Sequence, residues 1–323
     1  MLQSPAFLRA VPLSETQPHL LFAGFGEMGA EIFIQAALCA FALPGHRLLA
    51  TVLDERSEKS TLSADMKYSH IRNLTDLRIL ACSFEPVDPE VRKAIKAALT
   101  DARPPHAVIV ALGSDDIALN VAVQFRRILD ELAMLSVPIF VRLREKNKLG
   151  AFLARVEGKS AGVDRLLPFG DLAELTAPQV LLNEETDLLA RAAHEVFLKL
   201  SAHNLTADVP WSSLPEYFKQ QNIDFADHIP VKLRALGYDP GAKLLPDSFS
   251  AAEIEKLAEI EHWRWSLSLK ARGWSYGSVQ DNSARLHPLL VDWSETPEDV
   301  KERNRNMVRS IPEILKRTMA RNG

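Results

Sequence analysis

The chain has 323 residues, 47% of them hydrophobic and a quarter charged, enough to bury at least one full core and to predict two or three lobes. A formal net charge of -4 and an isoelectric point near 6.2 give no blanket attraction to nucleic acid or anionic lipid, so any polyanion site has to be local and no nucleic-acid partner is expected. Cys39 and Cys82 sit in apolar surroundings with no CxxC pair and no nearby histidine pair, which excludes a cysteine-based zinc site and fits buried thiols in a reducing compartment.

Residues 1–18 read as a short Pro-bearing lead-in, without the basic-then-apolar layout of a signal peptide. No run of about 18 apolar residues follows anywhere, so the expectation is a soluble, cytoplasmic chain. His19 to Ala23 reads as a buried strand, Ala30 to Leu43 as a helix ended by Pro44-Gly45, and His46 to Leu53 as the next strand, closed by Asp54. Further strands are expected at Arg78 to Ser83, Ala107 to Leu112, Pro138 to Leu143 and Arg165 to Pro168. They alternate with helices at Asp88 to Thr100, Asp116 to Ser136 and Lys146 to Val156. About six short apolar strands separated by helices predict an α/β doubly wound parallel sheet of the Rossmann kind over residues 19–170.

Between the first strand and its helix stands Gly24-Phe25-Gly26-Glu27-Met28-Gly29. A GxGxxG is weak by itself; strand before, helix after and an acid closing the second strand make it informative. Gly24 allows a tight turn, Gly26 lets the backbone approach a pyrophosphate, and Gly29 permits helix and strand to pack closely. The helix N-terminus offers free N–H groups and a positive dipole end to phosphate oxygens. Asp54 is placed to accept ribose hydroxyls, and Arg56 to meet an adenine face or an added phosphate. The pair Asp115-Asp116 opens a helix, where the dipole favours carboxylates and capping is the expected role.

On Gly24-Phe-Gly26-Glu-Met-Gly29, Asp54, Ala111-Leu-Gly113-Ser-Asp115-Asp with Asn120, and Val137-Pro-Ile-Phe-Val-Arg142, residues 19–170 resemble the TrkA-N (RCK-type) Rossmann domain of potassium transport regulators. The resemblance implies NAD(H) or an adenine nucleotide, sensed rather than turned over. Gly113 and Asp115 then join the glycine turn as cofactor-binding candidates.

After Gly170 the strand signals fade and helical patterning continues to the end. Trp211-Ser-Ser-Leu-Pro-Glu-Tyr-Phe-Lys-Gln-Gln-Asn222, continuing to Leu233, repeats as Trp293-Ser-Glu-Thr-Pro-Glu-Asp-Val-Lys-Glu-Arg-Asn304, continuing to Leu315. The offset is 82, and nine of 23 positions are identical. Upstream, Leu189 to His194 matches Leu257 to His262 at an offset of 68, so the second copy holds 14 extra residues between its histidine and its tryptophan. The expectation is a duplicated unit, 171–248 and 249–323, in which only the second copy keeps ligand chemistry.

The extra segment is aromatic and basic. Ser250, followed by Glu253, starts a helix to Arg272 that Gly273 ends, and Trp274 to Gly277 is expected to fold back as a hairpin with Asp281-Asn-Ser as its turn. His262, Arg264, Trp265, Trp274, Tyr276, Gly277, Arg285, His287 and Trp293 form the second set of ligand-binding candidates: aromatic faces to stack on a planar base, arginines and histidines to pair with phosphate or carboxylate oxygens. On His262, Gly273-Trp-Ser-Tyr-Gly277, His287-Pro288 and Ile311-Pro312, residues 257–315 resemble the RyR domain, the repeat of the ryanodine receptor. By analogy that resemblance implies a small nucleotide-like ligand.

No HExxH, no complete Walker lysine loop and no Tyr-x-x-x-Lys is present, and hydrolase, NTPase and short-chain dehydrogenase readings are set aside with them. His194-Glu195 and His203 are expected as packing and surface residues; neither a catalytic set nor a metal site is read. The joint arrangement resembles bacterial proteins that combine TrkA-N and RyR domains, some with membrane helices upstream and some in nucleotide-signalling defence. The expectation is therefore a nucleotide-sensing regulator, a homodimer or higher oligomer. Two rivals stand beside it: the cytosolic part of an ion channel or transporter on the cytoplasmic face of the membrane, and an NAD-dependent oxidoreductase or NAD-consuming enzyme.

Overall fold

The computed structural model describes every residue except 1–3, 12, 14, 41–42, 86–88, 101–102, 146, 150–165, 176–187, 201–207, 239–245 and 322–323. It divides into two compact units, Met1–Ala37 with Gly45–Ala177, and Leu38–Pro44 with Pro178–Gly323.

In the first unit six strands, β1 (His19–Ala23), β2 (Leu49–Asp54), β3 (Asp76–Ala81), β4 (Ala107–Val110), β5 (Ile139–Arg142) and β6 (Leu166–Phe169), form one sheet in the order β3-β2-β1-β4-β5-β6. Every pairing is parallel. β1 and β4 are buried along their whole length, the mark of central strands covered on both faces, and this explains why they read as unbroken apolar runs. β3 forms one edge, and Leu80 lies exposed on it. The order reverses between β1 and β4, and in such sheets a ligand crevice opens there, beyond the carboxyl ends of the strands.

Helices α1 (Pro5–Ala10), α2 (Glu27–Gln35), α3 (Ser57–Lys67), α4 (Ser69–Asn73), α5 (Pro89–Thr100) and α6 (Asp115–Glu131) belong to this unit, with a single helical turn at Leu172–Leu175 after β6. Val91, Ile95 and Leu99 of α5 and Leu119, Ala122 and Phe125 of α6 share one core with Val108, Val110, Ile139 and Val141 of the sheet. Arg126 of α6 is fully buried, and its guanidinium donates to the carbonyls of Val137 (3.0 Å) and Met134 (3.1 Å), pinning the turn that leads into β5.

The strands fall within three residues of their expected bounds, and two differences from the sequence reading are informative. Residues 1–18 are not a mere lead-in: α1 buries Phe7, whose ring meets Phe140 edge-on at 5.7 Å. The helices α3 and α4 were not foreseen, because α3 buries only Ser60 and Ala64 and so shows no apolar stripe. The expected helix from Lys146 to Val156 lies largely outside the described residues, as does His203.

The second unit is helical: α7 (Leu188–Leu200), α8 (Glu216–Asp227), α9 (Ile229–Ala235), α10 (Ala251–Ala271), α11 (Glu298–Arg309) and α12 (Ile311–Arg321). α10 starts with a complete capping box, Glu253 N–H donating to Ser250 Oγ (3.3 Å) and Ser250 N–H to Glu253 Oε2 (2.8 Å). It ends at Gly273, whose φ of +84° lets Trp274 N–H return to the Leu269 carbonyl at 3.1 Å. The hairpin expectation is corrected here. β7 (Ser275–Tyr276) and β8 (Leu286–His287) pair parallel, and the antiparallel contact is a single bridge between Asp281 and Leu286. The Asp281 carboxylate closes that bridge by accepting from Ser283 N–H (2.8 Å) and Ala284 N–H (2.9 Å), so the turn forms where expected but the strands do not run as a hairpin.

Candidate functional site

The glycine turn sits at the carboxyl end of β1, where the topology predicts a crevice. Gly24 has φ +90°, and a Cβ there would lie 2.9 Å from the Ala111 carbonyl oxygen. A Cβ on Gly29 would lie 2.4 Å from the Gly24 carbonyl oxygen, so this glycine is needed for helix to meet turn. Gly26 differs from both. Its φ is -68° and nothing lies within 4 Å of where its Cβ would be. Neither backbone strain nor packing requires a glycine there.

Around Gly26 opens a cleft of about 380 Å³. Gly24, Asp54, Leu112 and Arg142 line it, from the ends or immediate ends of β1, β2, β4 and β5, together with Gly113, Phe84, Arg56 and Arg144. Gly26 is the N-cap of α2 and supplies no side chain to cap it, so the amides of the first turn stay open to an acceptor. Asp54 is almost wholly buried, and both carboxylate oxygens are engaged: Oδ2 accepts from Phe25 N–H at 2.6 Å, Oδ1 from Arg56 N–H at 2.7 Å. It thereby fixes the glycine loop to β2.

Three arginines and three acids, Glu27, Asp54 and Glu55, line the cleft, and of the acids Asp54 and Glu55 accept from backbone amides, Glu55 Oε1 from Phe84 N–H at 2.9 Å. Arg56 and Arg144 have no side-chain partner among the described residues, and Arg142 reaches only the Leu112 carbonyl, at 3.4 Å, with its buried Nε unpaired. Sequence reasoning named Arg56 and missed Arg142 and Arg144; both lie at or just past the end of β5, and that position was the available signal. Phe25 is buried against Phe33, and Glu27 and Met28 line the cleft from the first turn of α2. Asp115 is corrected. It neither faces the cleft nor caps its own helix, because its carboxylate accepts from Arg144 N–H (3.2 Å) and Glu145 N–H (3.3 Å). It ties the loop after β5 to α6, and so acts on the cleft by holding Arg144 in place.

In the helical unit the second set of candidates separates into two groups. Rings run in a continuous line, Trp274 to His287 (6.0 Å), His287 to Trp265 (5.1 Å), Trp265 to His262 (5.8 Å) and His262 to Trp293 (5.7 Å). The inner end is structural: His262 is buried, and its Nε2 lies 2.9 Å from the Val291 carbonyl oxygen, while Trp293 Nε1–H donates to Glu255 at 3.1 Å. Burial pushes the His262 imidazole below its ordinary value and keeps it neutral. The outer end is open, with Tyr276 60% exposed and Trp274 and His287 half-buried. Burial also lowers His287, whose Nδ1 accepts from Leu289 N–H at 3.2 Å, leaving Nε2 to carry the proton of the neutral ring.

Arg264 does not belong with the open group. It is 2% exposed and paired with Glu261 at 2.6 Å, and Glu261 also meets the fully buried Lys232 of α9 at 2.7 Å. Burial opposes ionisation of Glu261, but Arg264 and Lys232 outweigh it and hold the carboxyl below its ordinary value. Arg264 is therefore committed to the core. Arg285 instead donates to the Arg272 carbonyl at 2.9 Å from an exposed position of φ +54°, and Gly277 is required because a Cβ would lie 2.7 Å from the Leu286 side chain.

The contacts of the second half have counterparts in the first. His194 Nε2 lies 2.8 Å from the Val209 carbonyl oxygen, 82 residues before Val291, and its ring is 6.0 Å from Trp211. Asn222 donates to the Phe218 carbonyl at 2.8 Å, as Asn304 does to that of Val300 at 3.3 Å. α7 packs on α12, with Arg317 paired to Glu195 at 3.0 Å, while Lys232 ties α9 to α10. Among the described residues no cluster of His, Cys, Asp and Glu could hold a metal ion, and no helix is long and apolar enough to cross a membrane.

Fold and cleft together define a Rossmann-like parallel-sheet unit with an arginine-bearing crevice at its switch point, followed by a helical region. Within that region residues 244–321 match the family model of the RyR domain, and the chain carries an RyR domain there. The hydrolase reading set aside from sequence has one motif in its favour: Gly158-Lys159-Ser160-Ala161-Gly162 has the Gly-x-Ser-x-Gly spacing of a nucleophile turn. It lies outside the described residues.

Proposed function

We propose that the chain is a nucleotide-sensing regulator whose first unit binds NAD(H) or a related adenine nucleotide at the glycine turn, in the manner of TrkA-N domains. The observation that carries this reading is Gly26: a helix N-cap with ordinary φ, no side chain and open space before it, beside three arginines that make no ion pair among the described residues. Bound diphosphate would accept from the open amides of α2 and draw on Arg142 and Arg144, while Asp54 holds the glycine loop against β2.

The helical unit is read as two copies of one RyR-like repeat. The shared offset of 82, the paired histidine-to-carbonyl contacts and the exchange of first and last helices between halves support this. The second copy alone carries the outer aromatic group of Trp274, Tyr276 and His287, which suits a planar, nucleotide-like ligand. Occupancy of the two sites would be coupled through differential affinity for two arrangements of a homo-oligomer, a coupling typically about 1–3 kcal/mol.

Titration calorimetry of the full chain with NAD, NADH, ATP, ADP-ribose and cyclic nucleotides tests both sites. At least one adenine nucleotide is expected to bind, and Trp274→Ala is expected to weaken only a ligand of the second unit. Absence of heat with every compound at millimolar concentration overturns the reading.

A further inference from the structure

A second cleft, of about 390 Å³, adjoins the first and shares Gly26, Glu27 and Arg56 with it. Its far wall is α3. Arg56, Ser60, Ser63 and Lys67 recur at helical spacing and so present one face, with Lys59 beside them. Arg56, Lys59 and Lys67 have no side-chain partner among the described residues, whereas Glu27 is the one carboxylate in this wall. Three cations against one anion leave a local surplus of positive charge, in a chain whose net charge is -4. Like charges gathered on one helix face repel, and an anion bound among them relieves that repulsion.

Asp54 bears on what that ligand is. A carboxylate at the end of β2 ordinarily repels a phosphate on the adenosine ribose. Here the carboxylate is buried and satisfied by two backbone amides, and the charge presented at that corner is that of Arg56. We infer that this second cleft takes an additional phosphate carried on the adenosine ribose, so that the preferred ligand of the first unit is a 2′-phosphorylated dinucleotide of the NADP type rather than NAD. The phosphomonoester would lie against Lys59 and Lys67 with Ser60 and Ser63 as neutral donors, and Arg56 would bridge the two clefts. This inference rests on the proposed nucleotide site.

The test measures affinities of the full chain for NADP and NAD side by side, with 2′,5′-ADP and 3′,5′-ADP as probes of where the extra phosphate belongs. NADP is expected to bind at least about tenfold tighter, the sum of two or three partly exposed charge pairs, with the advantage shrinking as salt is raised. The double variant Lys59→Gln, Lys67→Gln changes exposed positions only, and is expected to remove the preference while leaving NAD affinity within about twofold. Equal affinities, tighter NAD, or a preference untouched by the double variant overturns this inference and leaves the first site standing. A preference for 3′,5′-ADP over 2′,5′-ADP overturns the 2′ assignment. Binding of neither dinucleotide overturns this inference, and overturns the proposed site with it when ATP and ADP-ribose also fail to bind.

Discussion

The two units treat positive charge in opposite ways. In the α/β unit Arg56, Arg142 and Arg144 stand around a cleft without an ion pair among the described residues, although Glu27, Asp54 and Glu55 share the lining with them. In the helical unit Lys232, Arg264 and Arg272 are bound to Glu261 and Asp224, and Arg305 to Glu255. Both arrangements place basic residues near aromatic ones, and in sequence they look alike. The difference lies in who supplies the counter-charge: the chain itself in the helical unit, an absent partner molecule in the proposed reading of the other. Internal pairing confers stability and leaves little to offer a ligand, while an unpaired group contributes nothing until a ligand arrives.

The strongest way to break this contrast is to remove the internal counter-charge. Glu261→Gln leaves Lys232 and Arg264 buried without their main acid, and is expected to cost about 3–5 kcal/mol of helical-unit stability. All five tryptophans lie between Trp211 and Trp293, so denaturation followed by indole fluorescence reports on that unit alone. A loss under about 1 kcal/mol would show that the cluster is not what holds it.

In the other unit two neighbouring glycines should part company. Gly24→Ala meets both a φ of +90° and a backbone oxygen at 2.9 Å, and is expected to destabilise by about 1–3 kcal/mol, read by calorimetry. Gly26→Asp has neither obstacle. Aspartate is a favoured N-cap, so the melting temperature should hold or rise while its carboxylate fills the phosphate position and nucleotide affinity falls at least about a hundredfold. A Gly26→Asp protein that binds normally would remove the glycine turn from the site.

The smallest expected effect is a pH dependence. His262 and His287 are depressed by burial, so the folded helical unit binds fewer protons than the unfolded chain. Their contribution to stability is complete above the ordinary imidazole value of 6.5 and is lost as pH falls from there through the lowered folded values. Glu261 adds a further loss below the ordinary carboxyl value of 4.5, as pH falls through its own lowered folded value. Fluorescence-detected unfolding from pH 8 down to about pH 4 should show the first decline, and His262→Gln should reduce it.

Much of the α/β fold was legible because its determinants are local. An apolar run of four residues, three glycines and an acid specify β1, the turn and β2 whatever the rest of the chain does, and the capping box at Ser250 and Glu253 set the start of α10 the same way. α3 was not legible: it is held by position between strands rather than by an apolar stripe, and the cations of the second cleft ride on it. The helical repeat was visible as a fixed offset, whereas the parallel β7–β8 pairing depends on the turn at Asp281, which sequence placed without revealing the strand direction.

Sequence by itself determined which backbone positions forbid a side chain's usual conformation, where helices begin and stop, and which half carries the added aromatic segment. Tertiary structure alone decided which charges are spent. Glu261 lies three residues before Arg264, but Lys232, 29 residues before Glu261, reaches it only through packing, and Asp115 turns to the loop after β5 instead of the cleft. The physical reason is range: steric and capping preferences act over a few bonds, whereas the worth of a charge is fixed by whatever the fold brings within a few ångströms of it.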